Sequence, residues 1–275
     1  MSNEIVEQQF RAMKGFLESP TVVQQIGKIV TQGINPQRLV RQAVTLCSEN
    51  PELLKCTQQS IILGVVKAAE LGLELSGPLG HAYLVPRFTK IPGTTQKAMM
   101  AIFQVGWKGL VALAFRQGNV ASLPVRCVHA NDRFEIVYGD EQRLIHEPDL
   151  NKERGDVIGY YAAVKYVNGG RDFEYMTKQQ VIDHKEKYGG KGPGWSSAFD
   201  KMAMKTVLRQ LCSRLSMCPE AQKQAMEEEY AELGVAPVRQ LGVKENPDVQ
   251  LLLDQASPSG VIDGNFDGGP DPSTD

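Results

Sequence analysis

The sequence has little that would mark a membrane, secreted or disulfide-bonded protein. None of its apolar runs reaches the roughly 18 residues that a membrane-spanning helix needs. The start of the chain carries Glu4 and Glu7 in place of the basic and apolar segments of a secretion signal. The five cysteines are odd in number and form no CxxC pair, which predicts reduced thiols instead of a disulfide framework or a zinc ribbon. We therefore expect a soluble, cytoplasmic protein.

Signatures of covalent chemistry are also missing. The segment 189–194, GGKGPG, has its glycines and lysine in the wrong register for a Walker A loop, and no GxSxG motif occurs. The four histidines fall in separate predicted elements and show no i, i+4 pair. Asp149 and Asp183 leave a metal-dependent nuclease open as an alternative, although a turn and a helix explain both residues. The sequence thus predicts no catalytic residue, no metal and no cofactor.

Charge is unevenly distributed along the chain. The net charge is −2, but residues 219–275 contain 12 acidic and 3 basic residues, a local charge of −9. The first 218 residues then hold 27 basic and 20 acidic residues, a net charge of +7. A basic body therefore permits a polyanionic partner, although this charge would also suit an ordinary basic domain.

Hydrophobic spacing predicts alternating helices and short strands. Helices are expected over residues 35–50, 60–71, 106–118, 177–188 and 196–215. Strands are expected over residues 81–87, 97–105, 120–129, 134–138, 157–167 and 171–176. The predicted class is α+β: a small mixed sheet and a β-hairpin braced by helices form a core over residues 1–218. Residues 219–275 are expected to form an acidic helical segment followed by a disordered tail.

Two segments carry cations where a polyanion could bind. Lys201, Lys205 and Arg209 are spaced i, i+4, i+8 and form one stripe on the last predicted helix, preceded by a glycine-rich loop with Lys191 and then Trp195. A solvated helix face explains the stripe as well, and Trp195 could equally stack on a base or anchor the loop in the core.

The second segment is 103–110, FQVGWKGL, where a strand turns into a helix. Gly106 and Gly109 would allow close approach of another backbone. Lys108 lies in the first helical turn, where its charge opposes the helix dipole, and Arg116 follows two turns later. These positions favour a role beyond local stability, although many lysines tolerate such sites.

Seven segments occur in the order that they have in a known family. They are AAELGLE at 68–74, HAYLVPR at 81–87, FQVGWKGL at 103–110, IHEP at 145–148, GYYA at 159–162, GPGW at 192–195 and MAMKTVLR at 202–209. Together they resemble the RecT family of phage and prophage single-strand annealing proteins. The resemblance covers residues from about 30 to 215.

The resemblance implies ATP-independent annealing of complementary single-stranded DNA, and strand invasion, in phage-type recombination without an enzymatic step. It implies homo-oligomers, as rings or helical filaments, and the bacterial cytoplasm as the place of action. It further implies a partner 5′-to-3′ exonuclease and the host single-strand-binding protein, one of which the C-terminal region would recognise. A protein that coats single strands without annealing them remains an alternative.

The candidate DNA-binding residues combine the two cationic segments with this resemblance. They are Gln104, Lys108, Arg116, Lys191, Trp195, Lys201, Lys205 and Arg209. Arg87 and Lys97, at the expected hairpin, could bind DNA or a neighbouring protomer.

Overall fold

A computed structural model describes residues 3–30, 34–75, 80–90, 96–116, 118–188, 193–215 and 247–256. Helices and small sheets are combined in it, which confirms the predicted α+β class. The chain divides into two compact units: residues 1–70, 84–103 and 243–275 form the first, and residues 71–83 and 104–242 form the second. The predicted boundary between residues 218 and 219 lies outside the described residues and stays a prediction.

In chain order, the helices are α1 (Asn3–Leu17), α2 (Pro20–Ile29), α3 (Pro36–Glu49), a 3-10 helix (Pro51–Lys55), α4 (Gln58–Leu71), α5 (Trp107–Arg116), α6 (Lys178–Tyr188), α7 (Pro193–Ser197), α8 (Phe199–Cys212) and α9 (Pro247–Gln255). The strands are β1 (Ala82–Lys90), β2 (Lys97–Val105), β3 (Val120–Ser122), β4 (Val125–His129), β5 (Arg133–Val137), β6 (Arg143–Glu147), β7 (Val157–Tyr166) and β8 (Arg171–Thr177). The sequence did not predict α1, α2 or β6.

Three helices of the first unit, α2, α3 and the 3-10 helix, begin at a capping side chain followed by proline. Ser19, Asn35 and Asn50 each precede a proline, and each side-chain oxygen accepts a hydrogen bond from the backbone of the following turn. The side chain satisfies an N–H that the helix leaves open, and proline has the fixed φ that the first turn requires. Helices α1, α2 and α3 pack on one another and bury apolar residues such as Leu17 and Ile26.

The β1–β2 hairpin is confirmed, and in the first unit it packs on α4. The Ala101 backbone N–H donates to the Ser60 hydroxyl over 2.9 Å. A Cβ added to Gly64 would lie 2.3 Å from Leu84 Cδ2, so the buried Leu84 side chain packs directly on the backbone of the helix at this glycine. Helix α4 is buried on most of its circumference, which explains its nearly continuous apolar sequence.

Helix α9 lies within the segment for which the sequence predicted a disordered tail. It packs on α2 through buried Val249, Leu252 and Leu253, and Lys28 Nζ lies 3.0 Å from Asp248 Oδ1. This part of the predicted tail is therefore structured, because three apolar residues at helical spacing find an apolar face on α2. The charged helical segment expected near residues 220–233 lies outside the described residues.

The second unit is built around a sheet with β7 at its centre. Strand β8 pairs with one edge of β7, and β3 and β4 pair with the other edge, all antiparallel. Where the sequence suggested a mixed sheet, parallel pairing among the described residues is confined to the bridge between Leu75 and Ala82. The predicted β7–β8 hairpin, with its turn at 168–170, is confirmed.

The two faces of this sheet carry different elements. Tyr161 and Tyr175 face the separate β5–β6 hairpin, whose Phe134 ring centroid lies 6.0 Å and 5.1 Å from theirs. Tyr160 points to the opposite face, because side chains alternate along a strand. Helix α8 packs on that face and in turn contacts α5.

Candidate nucleic-acid interface

The start of α5 is held against the backbone of residues 80 and 81. The Gly106 N–H donates to the His81 carbonyl over 2.7 Å. A Cβ added to Gly106 would lie 2.3 Å from the Gly80 carbonyl oxygen, and one added to Gly109 would lie 2.2 Å from that of His81. The glycines therefore admit another backbone, as the sequence predicted, and this backbone belongs to the same chain.

This docking leaves the outer face of α5 exposed. Leu110, Leu113 and Ala114 point into the core, while Lys108 and Arg116 are both exposed. Arg116 Nη2 also donates to the Gly72 carbonyl over 3.2 Å, which ties the end of α5 to the segment after α4. Because α5 contains no acidic residue, its outer face is cationic.

The stripe predicted on α8 turns inward along the helix. Lys201 is exposed, Lys205 is half-buried and Arg209 is only 5% exposed. Arg209 Nη2 lies 3.4 Å from His184 Nε2 of α6. Only the first turns of α8 therefore present cations to solvent, while Arg209 joins α8 to α6.

The remaining predicted residues differ in accessibility. Trp195 is 7% exposed, and its ring centroid lies 5.6 Å from that of Phe199, so its place is in the core. Gln104, at the end of β2, is half-buried. Lys191 lies outside the described residues. The single helix expected over residues 196–215 is interrupted at Ala198, which separates α7 from α8.

Trp107, which is 45% exposed beside Lys108, is not among the residues predicted to bind DNA. Trp107 lies at helical spacing with the buried Leu110, so spacing alone does not distinguish an exposed aromatic residue from a core residue. A usable signal was the repeat of an aromatic residue followed by a cation, Trp107-Lys108 and Phe115-Arg116, within one helix. Phe115 is likewise 40% exposed.

Helix α8 is positioned by a hydrogen bond from the sheet. The Tyr160 hydroxyl donates to Asp200 Oδ1 over 2.5 Å, one residue before Lys201. Burial raises the pKa of Tyr160, and the hydrogen bond to the Asp200 carboxylate raises it further. The phenol thus stays protonated and holds the first turn of α8 against β7.

A polar cluster around the buried Asp132 carboxylate fixes the β5–β6 hairpin. Arg154 Nε and Nη2 donate to the two Asp132 oxygens over 2.8 and 2.7 Å, and the His129 N–H donates to Oδ2 over 2.8 Å. His146 Nε2 lies 2.9 Å from the same oxygen, and Nδ1 lies 3.2 Å from the Tyr161 hydroxyl. The Arg154 hydrogen bonds hold the pKa of Asp132 below its usual range, although burial acts to raise it. Both oxygens of this carboxylate therefore have hydrogen-bond partners, which join residues that lie on different loops and strands.

The two carboxylates considered for a nuclease lie on different elements. Asp149 follows β6 and pairs with Lys152 over 3.0 Å, and Asp183 lies on α6, where it accepts a hydrogen bond from Gln179. Within the described ranges, no group of three or more His, Cys, Asp or Glu side chains could hold a metal ion. Nothing in these parts of the chain brings the two carboxylates into one metal site.

Comparison with known proteins identifies the family. The RecT family profile matches residues 37–240, well over half of the chain. Protein RecT of Escherichia coli strain K12 is 32% identical over 224 residues, which cover 81% of this chain and 82% of that protein. This protein belongs to the RecT family. The uncharacterized protein YqaK of Bacillus subtilis strain 168 is 33% identical over 82% of this chain and 75% of its own length.

Family membership confirms the resemblance found in the sequence and supports a role in DNA recombination and strand annealing. The matched range contains α5 and α8, the two helices that carry the cationic segments. In the part of the chain that the structure describes, no helix is long and apolar enough to cross a membrane.

Proposed function

We propose that this RecT-family protein anneals complementary single strands of DNA, and promotes strand invasion, without ATP. It binds the phosphate backbones in a basic groove of an oligomer, in phage-type recombination in the cytoplasm of a bacterial host. The observation that carries the proposal is the pair of packed helices α5 and α8 in a chain of this family, both of which present exposed cations.

Annealing requires that two polyanions come together while their bases remain available for pairing. Lysine and arginine side chains lower the repulsion between strands, because they replace counterions along the phosphates. Base pairing itself tests the sequence, so the protein needs no contact that is specific for a base. The cationic outer face of α5 and the exposed start of α8 suit this requirement.

Differences in accessibility support different roles for the candidate residues. Exposed Lys108, Arg116 and Lys201 contact phosphate directly, and half-buried Gln104 and Lys205 reach it from the margin of the surface. Buried Arg209 and Trp195 support the surface from beneath: Arg209 holds α8 to α6, and Trp195 packs under the start of α8. Lys191 adds a further cation before α7.

A homo-oligomer, as a ring or helical filament, strengthens these contacts. Among the candidate cations that the structure describes, a single copy exposes Lys108, Arg116 and Lys201. Neighbouring copies bound to one strand multiply these contacts, because they act at high effective concentration. On the hairpin of the first unit, Arg87 and Lys97 are exposed and contact either DNA or a neighbouring protomer.

The C-terminal region serves partner recognition. Its 12 acidic residues could compete with DNA for the basic surface, and a partner 5′-to-3′ exonuclease or the host single-strand-binding protein would then bind there. Removal of residues 257–275, which takes away four acidic residues and leaves α9 in place, tests the competition. Faster annealing supports a brake, and an unchanged rate supports a purely solubilising segment.

The first experiment mixes two complementary, fluorescently labelled oligonucleotides without nucleotide, beside a non-complementary pair and a gel for cleavage. Faster annealing of intact strands supports the proposal. Binding without acceleration would favour a protein that only coats single strands. Mg²⁺-dependent cleavage that disappears in Asp149→Ala would favour the nuclease.

The second experiment tests the surface itself by substituting one exposed lysine at a time. Lys201→Ala should weaken binding to single strands of any sequence and reduce the slope of log Kd against log salt concentration by about 0.7. Lys165→Ala is the matched control, because Lys165 is exposed on the sheet face opposite α8. If the two variants have the same salt slope, Lys201 does not belong to the DNA-binding surface.

A further inference from the structure

Helix α5 carries two exposed pairs of an aromatic residue and a cation. Trp107 and Phe115 are 45% and 40% exposed, and each is followed directly by an exposed cation, Lys108 and Arg116. Large aromatic side chains normally contribute to a core because of the apolar area that they bury. Two of them left exposed on a helix that also buries a full apolar face indicate a binding surface.

The two pairs lie along one side of the helix. They are eight residues apart, which corresponds to about 12 Å along the helix axis and a rotation of roughly 80°. In a strand that keeps the stacking of B-form DNA, successive phosphates are about 3.4 Å apart along the axis, so this distance spans roughly three to four stacked nucleotides. Both aromatic rings can therefore serve one bound strand.

The packing of α5 gives this side a fixed orientation. Gly106 and Gly109 hold the first turn directly against residues 80 and 81, and the buried side of the helix includes Leu110 and Leu113. A ring on such a helix is placed before the ligand arrives, so less conformational entropy is lost on binding. Tyr83, also 45% exposed, has its ring beside Gly106 and extends the aromatic surface next to Trp107.

The charge around these rings favours nucleic acid over a second protein surface of neutral or basic character. Helix α5 contains two cations and no acidic residue. Single-stranded nucleic acids bind where aromatic rings stack on bases and nearby cations contact the phosphates. An exposed base has a free face only in a single strand, which is the substrate of an annealing protein.

We propose that Trp107 and Phe115 form a base-stacking surface for single-stranded DNA, with Lys108 and Arg116 on the phosphates of the same nucleotides. The proposal rests on the annealing function proposed above and adds a contact to the bases that the phosphate-binding cations do not supply. The stacked bases keep one strand ordered while the second strand pairs with it.

Tryptophan fluorescence tests the stacking directly, because the chain contains only Trp107 and Trp195. Trp195→Phe leaves exposed Trp107 as the reporter, and Trp107→Phe leaves buried Trp195 as the matched control. An oligothymidylate should quench the emission of the first variant in step with binding and leave that of the second unchanged. If Trp195→Phe does not fold, the difference between the wild type and Trp107→Phe gives the same quantity.

Affinity and salt dependence separate stacking from charge. Trp107→Ala should bind oligothymidylate roughly tenfold or more weakly, since stacking of one base contributes about 1–3 kcal/mol and 1.4 kcal/mol is a factor of ten. Its salt slope should equal that of the wild type, whereas Lys108→Ala should lower the slope by about 0.7. Trp107→Phe should keep most of the affinity because it keeps a ring.

Three outcomes would overturn the proposal, and they are distinguishable. If the wild type binds the oligonucleotide while Trp107→Ala binds equally well and Trp107 emission is unchanged, stacking is excluded and the annealing function remains. If the wild type binds no DNA, the proposed function fails together with the stacking surface. If Trp107 emission changes with protein concentration in the absence of DNA, the surface is an interface between copies of this chain.

Discussion

Gly109→Ala should destabilise the second unit, because the helix position that it changes has no room for a methyl group. The added Cβ would lie 2.2 Å from the His81 carbonyl oxygen and 2.8 Å from Val105 Cγ1. A carbon and a carbonyl oxygen normally approach to about 3.3–3.6 Å, so the start of α5 must move by about 1 Å. The closest atom belongs to the His81 backbone, so a change of side-chain rotamer cannot relieve the clash.

The magnitude follows from three effects. Overpacking of this kind costs about 1–3 kcal/mol, and loss of the hydrogen bond from Gly106 to the His81 carbonyl costs about 1 kcal/mol more. Alanine regains about 1 kcal/mol through its higher helix propensity. The free energy of unfolding should therefore fall by about 1–3 kcal/mol, which lowers the melting temperature by roughly 2–12 °C.

Thermal unfolding followed by circular dichroism measures this change, and Gly15→Ala is the matched control. Gly15 lies in α1 with no atom within 4 Å of an added Cβ, so the same substitution should raise stability by about 0.5–1 kcal/mol. Opposite signs for the two variants support packing as the reason for Gly109. If Gly109→Ala melts like the wild type but loses DNA binding, the glycine makes room for DNA, and packing against His81 is not the reason for it.

Three further predictions concern contacts elsewhere in the chain. Asp132→Asn should lower the free energy of unfolding by about 1–3 kcal/mol near neutral pH. Because the folded pKa of Asp132 is depressed, the stability that its carboxylate contributes is complete above the unfolded pKa of about 3.9 and is lost as the pH falls toward the folded value. Urea titrations of the wild type and the variant should therefore give free energies of unfolding that converge in acid. A difference that persists in acid would contradict the ionic contribution. Tyr160→Phe should cost about 1 kcal/mol in the same assay, because exposed Asp200 regains water when it loses the phenol. Leu252→Ala should destabilise the first unit by about 2 kcal/mol or more, because Leu252 is fully buried. Leu251, one residue before it, is 41% exposed, so Leu251→Ala should change stability little. Equal effects of the two substitutions would show that α9 does not pack on α2.

Local sequence signals predicted those helices and strands whose ends are marked by capping or turn residues. Asn35-Pro36 caps α3, and the 168–170 turn joins β7 to β8, because the residues that determine these features are neighbours in the chain. Strand β6 was missed, since the residues that pair with it and cover it come from β5 and β7. Helix α9 was missed for the same reason, because its apolar face becomes a core only against α2.

The same division applies to the candidate site. The sequence identified the family through the order of its motifs, and it identified the cations of α5 and α8 through their spacing, which is a property of one helix alone. Only the tertiary structure distinguished buried Trp195 and Arg209 from exposed Trp107 and Lys201. Periodicity gives the relative direction of side chains on a helix, whereas exposure depends on which distant segments pack against it, and no local pattern contains that information.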